Sequence, residues 1–225
     1  MSLTLYYHPL ASFCQKVLIA LYENGTEFEK RIIDLGNEGD RAELQALWPF
    51  RKFPVIRDHA RQRDVPETTV IIEYLDRFFA GERPLIPGDW DEALEVRLWD
   101  RLFDNYVQGP MTQIVYDRIS SAEGDLTNQQ ATLATAYSMI DRHMASRTWV
   151  SGQHFTMADC AVAPALFYAS TLQPFPDDFS HLRAYFDRLV ERPSFERVIE
   201  EAKPYFSLYP FADAIPKQFR QAASI

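Results

Sequence analysis

Residues 3–34 read LTLYYHPLASFCQKVLIALYENGTEFEKRIID, and the architecture of the first half follows from them. Leu3 to Tyr7 is a short run of apolar and aromatic residues ended by Pro9, the pattern of a β-strand. From Ser12 the period changes. Cys14, Val17, Leu18 and Leu21 recur at helical spacing until Asn24-Gly25 supplies a stop. Phe28 to Asp34 then reads as a second strand. A strand, a crossover helix and a strand imply parallel pairing of the two strands.

Working outward, Asp40 to Leu47 has the pattern of a short helix, and Phe53 to Arg57 that of a brief strand opened by Pro54. The polar stretch to Asp64 reads as a turn, with a short fourth strand near Val65. Ile71, Tyr74, Leu75, Phe78 and Phe79 place a helix after Pro66. The expected order is β-α-β-α-β-β-α over residues 1–80.

Gly81 to Asp89 carries Pro84, Pro87 and Gly88 and cannot continue a helix, so residues 81–89 are the expected linker. Residues 90–225 show helical periodicity only. Leu94, Leu98, Leu102 and Tyr106 mark one long helix; Leu133, Tyr137, Ile140 and Met144 a second; Leu182, Tyr185, Phe186 and Leu189 a later one. Thr156 and Asp159 have capping-box spacing, with Phe155 and Cys160 at the staple positions around the same cap. Pro164 falls inside the apolar helix that follows and is expected to kink it.

Composition excludes several functions. A formal charge of −9 with basic residues scattered among acids gives no footprint for nucleic acid. The two cysteines, Cys14 and Cys160, are far apart and in no C-x-x-C arrangement, which argues against a disulfide framework, a zinc site or a dithiol centre. No run approaches the ~20 apolar residues of a membrane helix, and Met1 to Pro9 lacks the basic flank and apolar run of a signal peptide. The expectation is a cytoplasmic protein with no metal.

Four local motifs follow one another: Tyr7-His8-Pro9 running into Ser12-Phe13-Cys14-Gln15-Lys16-Val17, then Lys52-Phe53-Pro54-Val55, then Glu67-Thr68 with Ile71-Ile72-Glu73-Tyr74-Leu75, and Phe155-Thr156-Met157-Ala158-Asp159. In this order, on this arrangement of strands and helices, the chain resembles the cytosolic glutathione transferases across nearly its whole length. The resemblance implies a thioredoxin-like glutathione-binding domain, an all-helical domain that forms the pocket for an electrophile, and a homodimer. It also implies that Pro54 is cis and that the Val55 backbone pairs with the cysteinyl residue of glutathione. Thr68 and the helix amides would hold the γ-glutamyl carboxylate, Glu67 the ammonium, and Lys52 or Arg51 the glycine carboxylate, with His8 and Arg41 as secondary contacts. Without the family, Pro54 reads as a trans proline at a strand edge, Glu67 as a dipole partner and Thr68 as a cap.

Conjugation needs the thiolate, and a thiol of pKa ~8.5 is only about 3% ionised at pH 7. A hydroxyl at the start of the first helix can donate to sulfur and favour the anion. Ser12 is the candidate donor, with Cys14 and Tyr7 as alternatives. Serine-type members of the family place the hydroxyl three residues before the cysteine position, which is Ala11 here, and Ser12 with Gln15 has capping-box spacing. Ser12 thus reads either as donor or as helix cap, and Cys14, on the apolar helix face, as a buried thiol. Lowering the thiol pKa by two units raises the thiolate fraction roughly twenty-five-fold but lowers nucleophilicity about eightfold, a net gain of only ~3-fold. Most of the acceleration must come from holding the electrophile beside sulfur. By resemblance Phe103, Tyr106, Val107 and Met111 line that pocket; plain helical core is the alternative, and Arg97 and Asp104 share the helix. Two other functions fit the same fold: a glutathione-dependent disulfide reductase or peroxidase, and a non-catalytic interaction protein.

Overall fold

The computed structural model describes residues 2–220; the last five residues of the expected helical half lie outside them. Two compact units divide between Ile86 and Pro87, inside the expected linker.

In the first unit the order is β1 (Leu3–Tyr7), α1 (Ser12–Glu23), β2 (Glu29–Ile32), α2 (Glu38–Leu47), β3 (Val55–Asp58), β4 (Arg63–Pro66) and α3 (Thr68–Phe78). The strands lie in the order β2-β1-β3-β4. β1 runs parallel to β2 and antiparallel to β3, and β3 and β4 form a hairpin. The sheet is thus a parallel β-α-β unit extended by an antiparallel hairpin. Strand edges differ from the sequence expectation by one or two residues, because Phe28 and Phe53 are apolar without being paired.

All five residues of β1 are buried, which requires cover on both faces of the sheet. On one side Tyr6, Ile33 and Val55 pack with Leu44 of α2, and Leu47, Trp48 and Phe53 close the edge of that cluster. Strand alternation sends Leu3, Leu5 and Tyr7 to the opposite side. Helices α1 and α3 pack on one another, and α1 buries every residue from Cys14 to Leu21. Each of its large aliphatic side chains contributes about 1.5–3 kcal/mol by leaving water.

Two local devices set the ends of this unit. Gly25, at φ 61°, takes the left-handed turn that follows α1. Gly81 lies so close to the end of α1 that a Cβ on it would sit 2.7 Å from the Asn24 Cα, so the chain leaving α3 needs glycine there.

The second unit is helical. α4 (Trp90–Phe103) passes through a five-residue π-helical stretch, Asp104–Gln108, into α5 (Gly109–Ser120). α6 (Thr127–Met144), α7 (Met157–Leu172), α8 (Ser180–Val190) and α9 (Pro193–Ala202) follow, with short turns to Arg220. Asp89 caps α4 by accepting from the amides of Asp91 and Glu92. α7 continues through Pro164.

The leucine spacing that marks a long helix does fall on α4, but not on its buried face. Leu94 and Leu98 are 54% and 57% exposed, while Ala93, Val96, Trp99 and Phe103 are buried. The periodicity of the leucines gave the helix but not its inward face, because a sequence of apolar residues does not say which of two apolar stripes meets the core.

At α7 the Thr156–Asp159 capping box is present. Asp159 is fully buried and accepts from the amide and hydroxyl of Thr156, the Val150 amide and the Tyr185 hydroxyl. Phe155 and Cys160 are both buried beside it.

Candidate functional site

Strand register brings the motifs of the first unit together. Tyr6 is opposite Val55, and Val55 is opposite Pro66. At this one end of the sheet β1 runs out toward His8 and Ser12, the Phe53-Pro54 segment enters β3, and β4 runs out into Glu67 and Thr68. Three segments remote in sequence thereby converge on a single edge.

The Phe53-Pro54 peptide bond is cis, as the resemblance implied and against the trans reading. Pro54 is buried and Phe53 half-buried. The His8 ring stacks beside Phe53, with centroids 6.4 Å apart and planes 24° from parallel. Val55 is fully buried and flanked by strand neighbours on both sides. Phe53, which the resemblance also places at glutathione, lies just ahead of the ladder that begins at Val55.

Glu67 is the N-cap of α3, at φ 69° and ψ 116°, and makes no side-chain capping bond. A left-handed φ at a residue other than glycine costs of order 1–3 kcal/mol and persists only where surrounding structure imposes it. Thr68 is the first residue of the helix and is buried. The simple reading of Thr68 as the cap is thus overturned. With no side-chain cap and no acid in the first turn of α3, its amide groups and dipole suit an anion.

Lys16, almost fully buried on α1, donates from Nζ to Thr69 Oγ1 at 3.3 Å and ties the two helix starts together. Sequence reading left Lys16 out, since a lysine on an apolar helix gives no signal of a cross-helix partner. Asp58 was missed as well. It accepts from the Tyr74 hydroxyl at 2.7 Å and from the amide and guanidinium of Arg61 at 3.0 Å each, bracing the β3–β4 turn against α3. Arg51 and Lys52 are both exposed, and Arg51 has φ 54°.

At α1 the capping-box expectation is corrected. Ala11 occupies the cap position, Ser12 is the first helical residue, and Gln15 donates from Nε2 to the Pro9 carbonyl at 2.9 Å. The extended backbone of Ala11 moves the cap one residue ahead of the hydroxyl, a geometry that residue types alone do not specify. Ser12 is half-buried.

Cys14 and Tyr7 are both buried. Burial pushes the Cys14 thiol far above its ordinary value, only partly offset by a backbone hydrogen bond from His8. A thiol held in that form is a poor nucleophile.

In the helical unit Phe103, Val107 and Met111 are core. Their burial agrees with the helical-core alternative, whereas Tyr106 is 56% exposed. Among the described residues no group of three or more His, Cys, Asp or Glu side chains is placed to hold a metal ion, and no helix is long and apolar enough to cross a membrane.

Residues 5–83 match the glutathione S-transferase N-terminal domain and residues 114–188 the glutathione S-transferase C-terminal domain. The chain belongs to the glutathione S-transferase family. Similar proteins divide in what they are named for. A glutathione S-transferase of Silene vulgaris is 25% identical over 214 residues, covering 88% of this chain and 97% of that one. Elongation factor 1-gamma 2 of Oryza sativa subsp. japonica is 24% identical over 208 residues, or 89% of this chain, but the match spans only 49% of that longer protein. The crystal structure of a glutathione S-transferase from Methylobacillus flagellatus KT, with glutathione bound, superposes with a TM-score of 0.75 at 22% identity, covering 88% of this chain and 98% of that one. The fold is thus shared with a glutathione-bound member of the family.

Proposed function

We propose that this protein is a glutathione transferase that joins the glutathione thiolate to a small hydrophobic electrophile. One observation carries the reading: a single edge of the sheet holds both the Phe53-Pro54 segment, with its cis bond, and an α3 amino end whose N-cap residue makes no side-chain capping bond. The first suits the cysteinyl backbone, taken at Phe53, and the second the γ-glutamyl carboxylate, with Thr68 beneath it and Glu67 facing the ammonium. Lys52 supplies the cation for the glycine carboxylate.

Ser12 donates to the sulfur in this scheme. Its place in the first turn of α1, with the cap position at Ala11, adds the helix dipole to the stabilisation of an anion. The thiol proton leaves to water, and the thiolate forms a C–S bond with the electrophilic carbon as a leaving group departs with its bonding pair, or as an activated double bond takes up that pair and a proton from water. The exposed apolar row of Trp90, Leu94 and Leu98 on α4 supports a homodimer, for which light scattering should give twice the chain mass. A cytoplasmic detoxifying role is in keeping with this chemistry.

A non-catalytic reading draws on the elongation-factor relatives and on Ala11 at the usual serine position. A glutathione-dependent disulfide reductase or peroxidase would use the same glutathione site without an electrophile pocket, and turnover of glutathione disulfide without a protein thiol would point to it. Isothermal titration with glutathione separates the first pair: binding supports the enzyme, and its absence favours the interaction protein. In the bound state, ultraviolet thiolate absorbance against pH should show a higher apparent thiol pKa for Ser12→Ala than for wild type. An unchanged value would remove Ser12 from the mechanism.

A further inference from the structure

His8 stands where β1 leaves the sheet, and the turn behind it is tight: the Ala11 amide donates to its carbonyl at 3.0 Å, folding the first turn of α1 back toward it. Its ring stacks on Phe53, directly ahead of cis Pro54. Its Nδ1 accepts from the Leu10 amide at 3.2 Å.

That last bond fixes what the ring can do. A neutral imidazole has one N–H and one lone-pair nitrogen. Since Nδ1 accepts, the proton resides on Nε2. Burial lowers the pKa of the ring, and the Asp34 carboxylate opposes that shift only in part, so the neutral tautomer prevails at pH 7. Such a ring can donate from Nε2 but cannot take a proton without giving up the Leu10 bond.

We propose that His8, through Nε2–H, is a second hydrogen-bond donor to the glutathione sulfur beside Ser12. The inference rests on the glutathione reading above. A cysteinyl backbone running along Phe53 puts its side chain against the ring stacked on that residue, at the first turn of α1. No proton passes to His8: the thiol proton leaves to solvent, the Nε2–H bond stays intact, and the donor stabilises the sulfur lone pair that results. Two donors compensate for the alanine at position 11.

The test compares His8→Phe, which keeps an aromatic ring beside Phe53 but has no donor, with His8→Gln, whose amide places a donor near the Nε2 position. Glutathione affinity is measured first by calorimetry, and thermal unfolding checks that each variant folds. The apparent thiol pKa of bound glutathione is then read from thiolate absorbance. His8→Phe should raise it by about one unit, roughly a tenfold loss of thiolate below the pKa. His8→Gln should stay near wild type, and affinity measured at a pH below the bound-thiol pKa should change by less than about threefold in both.

If His8→Phe leaves the thiol pKa unmoved, or if both variants shift it equally, His8 is a packing residue and the proposal falls while the transferase reading stands. Should His8→Phe fail to fold, a raised thiol pKa in His8→Gln overturns the proposal. If wild type binds no glutathione, both readings fall together.

Discussion

The Tyr185 hydroxyl donates to Asp159 Oδ1 at 2.5 Å, joining α8 to the carboxylate that caps α7. Asp159 is fully buried and gathers three further donors, from Thr156 and Val150. One side chain therefore terminates a helix, fixes the loop before it and anchors a second helix. Asp159→Ala should cost about 2–4 kcal/mol, beyond the ~1 kcal/mol of an ordinary cap, because it strands buried donors. Tyr185→Phe should cost about 1–2 kcal/mol. Urea unfolding measures both, and equal small losses would mean that the network does not act as a unit.

Asp58 predicts acid sensitivity of the first unit. Burial raises its pKa, but hydrogen bonds from Tyr74 and from Arg61, with the Arg61 charge, outweigh burial and hold the carboxyl below its ordinary value. A depressed folded-state pKa gives stability that is present above the ordinary carboxylate range and is lost as pH falls through the folded value. Wild type should lose stability below pH ~4 more steeply than Asp58→Asn. Thermal unfolding between neutral and acid pH reads the difference, and parallel curves would contradict it.

Arg51 occupies a left-handed backbone conformation at φ 54°, where a Cβ is penalised by about 1–2 kcal/mol. Glycine removes that penalty and adds unfolded-state entropy of about 0.4–1 kcal/mol. Arg51→Gly should therefore stabilise by roughly 0.5–1 kcal/mol. With Lys52 as the carboxylate partner, its glutathione affinity should stay near wild type, whereas Lys52→Ala should bind several-fold more weakly. The opposite ranking would assign the contact to Arg51.

Cys14 should behave as an inert core residue. Its thiol has no accessible surface, and burial disfavours the thiolate. Alkylation in native buffer should be slow and become rapid only in denaturant. Cys14→Ala should keep conjugation within about twofold while losing about 1–2 kcal/mol of stability. A collapse of activity without loss of stability would return Cys14 to the chemistry.

Sequence by itself determined the β-α-β-α-β-β-α order, the helical second unit and the capping box at Thr156 and Asp159, because strand period, helix period and caps are encoded within a few consecutive residues. It also marked the segments that meet at the candidate site. Tertiary structure alone decided which neighbours those segments have. Ala11 takes the cap that capping-box spacing assigns to Ser12, Val55 is closed in by strands on both flanks, and Phe103 and Val107 turn into the core while Leu94 and Leu98 face out. The pairing of His8 with Phe53 and of Asp58 with Tyr74 belongs to the same class. Each depends on where distant backbone lies, and one residue's displacement of a cap or a helix face changes a side chain's surroundings without changing the local pattern.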